Sequence, residues 1–256
     1  MKFLFKVINI FTWIFVNIKC IFRHYKYKNI YSATKAELLS LNWLFDIPIE
    51  RIDSKKSYIV YSEHSRIGDS NLIQLLFSNN MNLVRIVNLR APILIGSPFK
   101  KEFVSVSSKF SVLWWKYNCY DIKSKIMYII TYAFSKKDNN SLVRILEPLR
   151  EGKNIIIFPS GVIGRAKWKH GLGQILLEYS ANPKLFKKPV FILPVKLEYN
   201  FSKRIPIATI KIIEEKSVSN IMTQFIESSY NDKNIPISYN LTNWLEDRYV
   251  MTKKEF

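Results

Sequence analysis

Residues 154–158 read N-I-I-I-F, an asparagine followed by an apolar run with three isoleucines and too few positions for a helix. Such a β-branched run is a buried strand, and a strand of that kind needs layers of structure to cover it. Y-I-V-Y at 58–61 reads the same way. The runs 83–87 and 190–197 are further strands, the second with Pro194 inside it, and 208–213 closes the set with alternation. Helical patterns fall between them. One spans 32–46, where Leu38, Leu39, Leu41, Trp43 and Leu44 give an apolar face and Pro48 stops the helix. Others lie at 72–77, 126–134, 141–149 (closed by Gly152 as a C-cap), 168–179, 217–229 and 241–249. An aromatic-rich stretch, 110–120, sits among them. Strands alternating with helices predict an α/β fold, a layered mixed sheet flanked by helices. A chain of 256 residues is ample for one such core.

Charge narrows the surroundings of that fold. There are 39 Lys and Arg against 20 Asp and Glu, a formal +19, so the chain will seek polyanions, either nucleic acid or an anionic membrane. The first 30 residues carry six Lys or Arg and no acid. Within them, 7–18 is free of charge but too short to be a secure membrane span. Wound at about 100° per residue, Lys2, Lys6, Asn9, Trp13, Asn17, Lys19 and Arg23 fall on one side. Phe3, Leu4, Val7, Ile8, Phe11, Ile14, Phe15 and Ile18 fall on the other, with Phe5 and Val16 as exceptions. That is the pattern of a helix lying in a membrane interface with its basic residues on anionic headgroups. A single span with Lys6 and Lys19 snorkelling and a helix packed on the domain's own core remain open. The residues after Cys20 offer no small-residue site for signal cleavage. The chain therefore divides into an N-terminal membrane-associated helical segment, 1–46, and an α/β domain, 47–256. Cys20 and Cys119 show neither metal spacing nor a disulfide framework, which points to a reducing compartment.

Two loops carry the chemistry. After 58–61 comes a polar loop with His64 and Gly68, then Asp69 and Ser70, which are good N-caps for the apolar run 72–77. Five positions from His64 across a strand-to-helix loop, Asp69 can hold one nitrogen of His64 and leave the other to take a proton. Equally, Asp69 can be only a helix cap and His64 only a loop residue. The chain has three histidines, so the pairing is not one of many chance combinations. The second loop follows 154–158 as Pro159-Ser160-Gly161-Val162-Ile163-Gly164-Arg165. Its glycines let backbone approach a ligand, and Arg165, with Lys167 and Lys169 near it in sequence, can meet a phosphate.

Taken in order, these pieces resemble the glycerolipid acyltransferases, the family that includes 1-acylglycerol-3-phosphate acyltransferase. H-S-R-I-G-D at 64–69 matches their H-x-x-x-x-D motif. F-P-S-G at 158–161 is similar to their F-P-E-G block, and L-P-V at 193–195 to their closing V-P-V. The basic, apolar N-terminus resembles the membrane-binding helices that precede the domain in many members. The resemblance covers roughly 1–213. Where the usual block is F-P-E-G-T-R-S, this chain has Ser160 for Glu, Val162 for Thr, and its arginine two places later at Arg165. That spacing is closer to the F-P-A-G-E-V-S-R variant of the haemolysin-like members, which include ornithine- and glycine-lipid synthases, and W-K-H-G at 168–171 fits the same variant. The family's glycine–arginine block is represented only by C-Y-D-I-K at 119–123, with Lys123 in place of the arginine.

The resemblance implies transfer of a fatty acyl group from acyl-CoA or acyl carrier protein to a lysophospholipid or similar lysolipid. His64 would be the general base and Asp69 the group that orients it. Ser160, Gly161, Arg165 and Lys123 would contact substrate. It implies no metal, no cofactor beyond the donor thioester, and no nucleic acid partner. It places the protein at an anionic membrane, on the cytoplasmic face of the inner membrane. A basic membrane- or nucleic-acid-binding protein without catalysis is the rival reading. It accounts for +19 directly but has no use for either loop.

Overall fold

The computed structural model describes residues 26–27, 30–39, 44–47, 52–64, 69–77, 83–88, 103–106, 141–161, 167–202, 205, 207–228, 230 and 232–250. In chain order these form α1 (Ile30–Leu39), β1 (Leu44–Asp46), β2 (Ser57–Tyr61), α2 (Asp69–Gln74), β3 (Leu83–Asn88), β4 (Phe103–Val106), α3 (Ser141–Arg150) and β5 (Asn154–Ile157). There follow α4 (Gly171–Ala181), β6 (Val190–Asn200), β7 (Ile207–Ile212), β8 (Lys216–Ser217), α5 (Val218–Glu227) and α6 (Ile237–Val250). The strands make one mixed sheet in the order β1-β7-β6-β2-β5-β3-β4, with β8 added to β6.

The centre of the sheet is set by the two β-branched runs. Every residue of β2 and of β5 is buried, and the two strands pair in parallel, Ile59 with Ile155 and Tyr61 with Ile157. Side chains alternate across a strand, so each run feeds two cores. Tyr58, Val60 and Ile156 meet Leu38, Leu72, Ile73 and Phe77 on one face. Ile59, Tyr61, Ile155 and Ile157 meet Leu146, Leu149, Leu172, Leu176, Ile221 and Leu245 on the other. Burial of an aliphatic side chain of this size stabilises by about 1.5–3 kcal/mol, and both layers draw on the same few strand residues.

β6 changes partner partway along. Residues 190–194 lie parallel to β2 and 195–200 lie antiparallel to β7. Pro194 stands at the switch, opposite Tyr61, the last residue of β2, so its missing N–H falls where that neighbour ends; its carbonyl accepts from the Ile213 N–H at 3.0 Å. Beyond Pro194 the strand runs on to Asn200, further than the apolar pattern at 190–197 predicts.

Several boundaries differ from the sequence-based expectation. The helix expected at 32–46 ends at Leu39, and Leu44–Asp46 becomes an edge strand in register with Ile207–Thr209. There, ladder hydrogen bonds to β7 override a helical apolar pattern. Leu38 stays in the core, so α1 and β1 are built into the layers of the sheet. The helix expected from 168 starts at Gly171, because the Trp168 N–H is drawn to Glu246 and the Lys169 N–H to the Pro159 carbonyl. The final helix begins earlier, at Ile237, and the two-residue β8 follows the stretch expected as the last strand. Gly152 ends α3 as expected, at φ +81°, with Lys153 N–H on the Pro148 carbonyl and Gly152 N–H on that of Leu149. The helices expected within 1–25 and at 126–134, and the aromatic stretch 110–120, lie outside the described residues. No helix among the described residues is long and apolar enough to cross a membrane.

Candidate active site

Parallel strands deliver their carboxyl ends to one edge of a sheet, and side chains in the loops leaving them converge there. β2 ends at Tyr61 and His64 follows three positions later; α2 then opens with Asp69. The chain turns back between them so that His64 Nδ1 lies 3.0 Å from Asp69 Oδ2. The Asp69 side chain is fully buried, while that of His64 is 20% exposed. The other carboxylate oxygen, Oδ1, accepts a hydrogen bond from the Tyr199 hydroxyl, which arrives from the far half of β6. Two donors to one buried carboxylate offset part of the cost of removing its charge from water, at about 1.5–3 kcal/mol for each hydrogen bond to an ionised group.

A neighbouring strand fixes the plane of the imidazole. Phe158, the first residue after β5, stacks on His64 with ring centroids 4.2 Å apart and planes 17° from parallel. With the ring held flat on Phe158 and Nδ1–H donating to Asp69, the lone pair is left on Nε2. Three strand ends thus orient one histidine: β2 carries it, β5 supports its face and β6 anchors its carboxylate.

Helix α2, which carries Asp69, is itself tied down. Arg85 of β3 is buried and donates from Nη1 to Asn71 Oδ1 at 2.5 Å and from Nη2 to Thr34 Oγ1 at 2.9 Å. One guanidinium therefore joins β3 to both α1 and α2, below the helix that begins at Asp69.

The second loop lies beside the first. Gly161 closes a turn by donating its N–H to the Phe158 carbonyl at 2.8 Å, with φ at +68°, a conformation side chains rarely adopt. A methyl group there would come within 3.0 Å of Lys169 Nζ. The glycine amide is thus engaged within the turn, and what Gly161 leaves open is room for the Lys169 ammonium. Lys169 is drawn in by its own backbone, whose N–H meets the Pro159 carbonyl at 3.0 Å. Ser160 is buried in the turn and Gly161 is exposed. Arg165 and Lys123 lie outside the described residues.

Of the residues singled out from sequence, His64 and Asp69 are in direct contact, and Ser160 and Gly161 lie in the turn following Phe158, whose ring supports His64. Tyr199, the stacking role of Phe158, and Arg85 were not foreseen. Tyr199 lies beyond the stretch expected as strand, and no local pattern marks it. From its place in the run 168–179, His170 is expected to be a surface residue of that helix. It is half-buried at the start of α4, stacked on Tyr239 at 4.3 Å, and burial lowers its pKa below the usual 6.5. Among the described residues no three of His, Cys, Asp and Glu gather as metal ligands would.

An imidazole on a partly exposed side chain, oriented by a buried carboxylate, is the arrangement of a general base that deprotonates a hydroxyl, amine or thiol. No family model and no curated protein matches the chain. Among solved structures it is similar to the 1-acyl-sn-glycerophosphate (LPA) acyltransferase PlsC from Thermotoga maritima, with 14% identity, a TM-score of 0.46, and coverage of 94% of this chain and 90% of that one.

Proposed function

We propose that this protein is an acyltransferase that moves a fatty acyl group from acyl-CoA or acyl carrier protein to a lysophospholipid or similar lysolipid in membrane lipid synthesis. The contact between His64 Nδ1 and fully buried Asp69 Oδ2 at 3.0 Å carries this reading. A nucleic-acid-binding module gains nothing from burying a carboxylate beneath a histidine.

In this reading His64 Nε2 takes the proton from the acceptor hydroxyl as its oxygen attacks the thioester carbonyl. The tetrahedral intermediate collapses with cleavage of the carbon–sulfur bond, and the imidazolium returns the proton to the departing thiolate. Asp69 keeps Nδ1 protonated and stabilises the transient imidazolium, with Tyr199 fixing the carboxylate. Lys169 over Gly161, with Arg165 and Lys123 as further contacts, holds an anionic group of acceptor or donor, and Ser160 shapes the turn below. The basic, apolar stretch 1–27 ahead of α1 brings the protein to the cytoplasmic face of the inner membrane.

Thiol release from a long-chain acyl-CoA or acyl carrier protein, measured against a panel of lysolipids in mixed vesicles, tests the reading. Acceptor-dependent release with formation of the diacyl product is expected. A folded, vesicle-bound protein that releases no thiol with any acceptor and either donor would end it.

A further inference from the structure

The antiparallel pair β6–β7 extends past the end of β2, on the side of the sheet where His64 and Asp69 lie, and exposed apolar residues stand just beyond its last rung. Phe201, just after β6, is 46% exposed, and Ile205, before β7, is 47% exposed. On the next strand Leu44, the first residue of β1 and the register partner of Ile207, is 55% exposed. Asn200 pairs with the same Ile207, so the three apolar residues gather at one end of three adjacent strands. In sequence, Lys203 and Arg204 stand between the two hairpin residues, in a chain of formal charge +19.

We propose that this hairpin end is a second membrane-contacting surface, which inserts Phe201 and Ile205 into the interface of an anionic bilayer beside the site. Exposed apolar side chains with cations beside them in sequence gain from acyl chains and anionic headgroups together, whereas a nucleic acid backbone rewards only the cations. The tip is also joined to the site. Phe201 stacks parallel to Tyr199 at 6.2 Å, and the Tyr199 hydroxyl binds Asp69. A lipid acceptor held in the bilayer would therefore meet His64 without leaving the interface. The proposal rests on the membrane association put forward above, but not on the amphipathic character of 1–27.

The test uses the full chain with Cys20→Ser and Cys119→Ser, the chain's two cysteines, and single cysteines labelled with an environment-sensitive fluorophore. Phe201→Cys and Ile205→Cys report on the tip and Thr12→Cys on the N-terminal segment. Leu185→Cys is the control, since Leu185 is 56% exposed but precedes β6, at the opposite end of that strand. Vesicles of phosphatidylglycerol and phosphatidylcholine should blue-shift the labels at 201 and 205 and make them quenchable by nitroxide-bearing lipid, with Leu185 unchanged. Phe201→Asp and Ile205→Asp should each weaken vesicle partitioning by about tenfold, and high salt should weaken it further. A quenched label at 12 with water-like labels at 201 and 205 overturns the hairpin proposal alone; water-like labels at all three overturn membrane association as a whole. Labels at 201 and 205 already shielded without vesicles, in a concentration-dependent way, would mean the surface joins two copies of the chain and would also overturn it. Because no turnover is needed, a failure of acyl transfer leaves these outcomes readable.

Discussion

His64 and His170 both stack on an aromatic ring, at 4.2 Å on Phe158 and 4.3 Å on Tyr239. They differ in what faces the ring nitrogens. Against His64 stands a fully buried carboxylate. Against His170 no carboxylate among the described residues is bonded, and burial lowers its pKa. Stacking and partial burial place an imidazole but give its proton no direction; a buried acceptor on one nitrogen does. The same residue type is therefore set against a buried carboxylate at one position, as the proposed base requires, and, among the described residues, against an aromatic ring alone at the other.

The largest effect should come from removing the base. His64→Gln is expected to lower acyl transfer by about 10²–10⁴-fold while keeping its melting transition, and His170→Gln should leave the rate as it is. Equal losses in the two variants would erase the distinction between the histidines. Asp69→Asn comes next: an amide can present the wrong partner to Nδ1, so the rate should fall severely, and chemical denaturation should show a loss of about 1–3 kcal/mol from disturbing a buried hydrogen-bonded group. If this variant keeps its turnover and loses stability alone, Asp69 is a structural residue.

Tyr199→Phe sharpens the comparison further, since it retains the ring and its stack on Phe201 while removing the donor to Asp69. Loss of a hydrogen bond worth about 1.5 kcal/mol to an ionised group corresponds to a drop in kcat of up to about tenfold. KM for either substrate should hold and the pH–rate profile should move. An unmoved profile would leave Tyr199 a packing residue. The smallest effect is at His170. Because its folded pKa lies below 6.5, the unfolded chain takes up the proton first. Its contribution to stability is therefore present above about 6.5 and fades as pH falls through the folded value. His170→Gln should flatten that part of the stability profile slightly, as read by denaturant midpoints at mildly acidic and neutral pH.

What could be read ahead of the structure follows from the range of the forces involved. The strands at 58–61 and 154–158 declare themselves because burial on both faces demands apolar residues at consecutive positions. His64 and Asp69 are legible because five positions across a strand-to-helix loop suffice to bring them together. β1 was hidden within a helical pattern, since three residues at a sheet edge are held by ladder bonds to β7 rather than by their own periodicity. Tyr199 lies 130 positions from Asp69 and reaches it only because β6 exchanges β2 for β7 at Pro194.

The sequence by itself determined the layered α/β class, the strand-end loops and the pairing of His64 with Asp69, all through local pattern and composition. Tertiary structure alone decided that Phe158 lies flat on that histidine, that Arg85 joins β3 to α1 and α2, and that Tyr199 holds the far oxygen of Asp69. Each of those contacts joins segments whose proximity is set by strand order, and strand order is chosen by the packing of the whole sheet, which no short stretch of chain encodes.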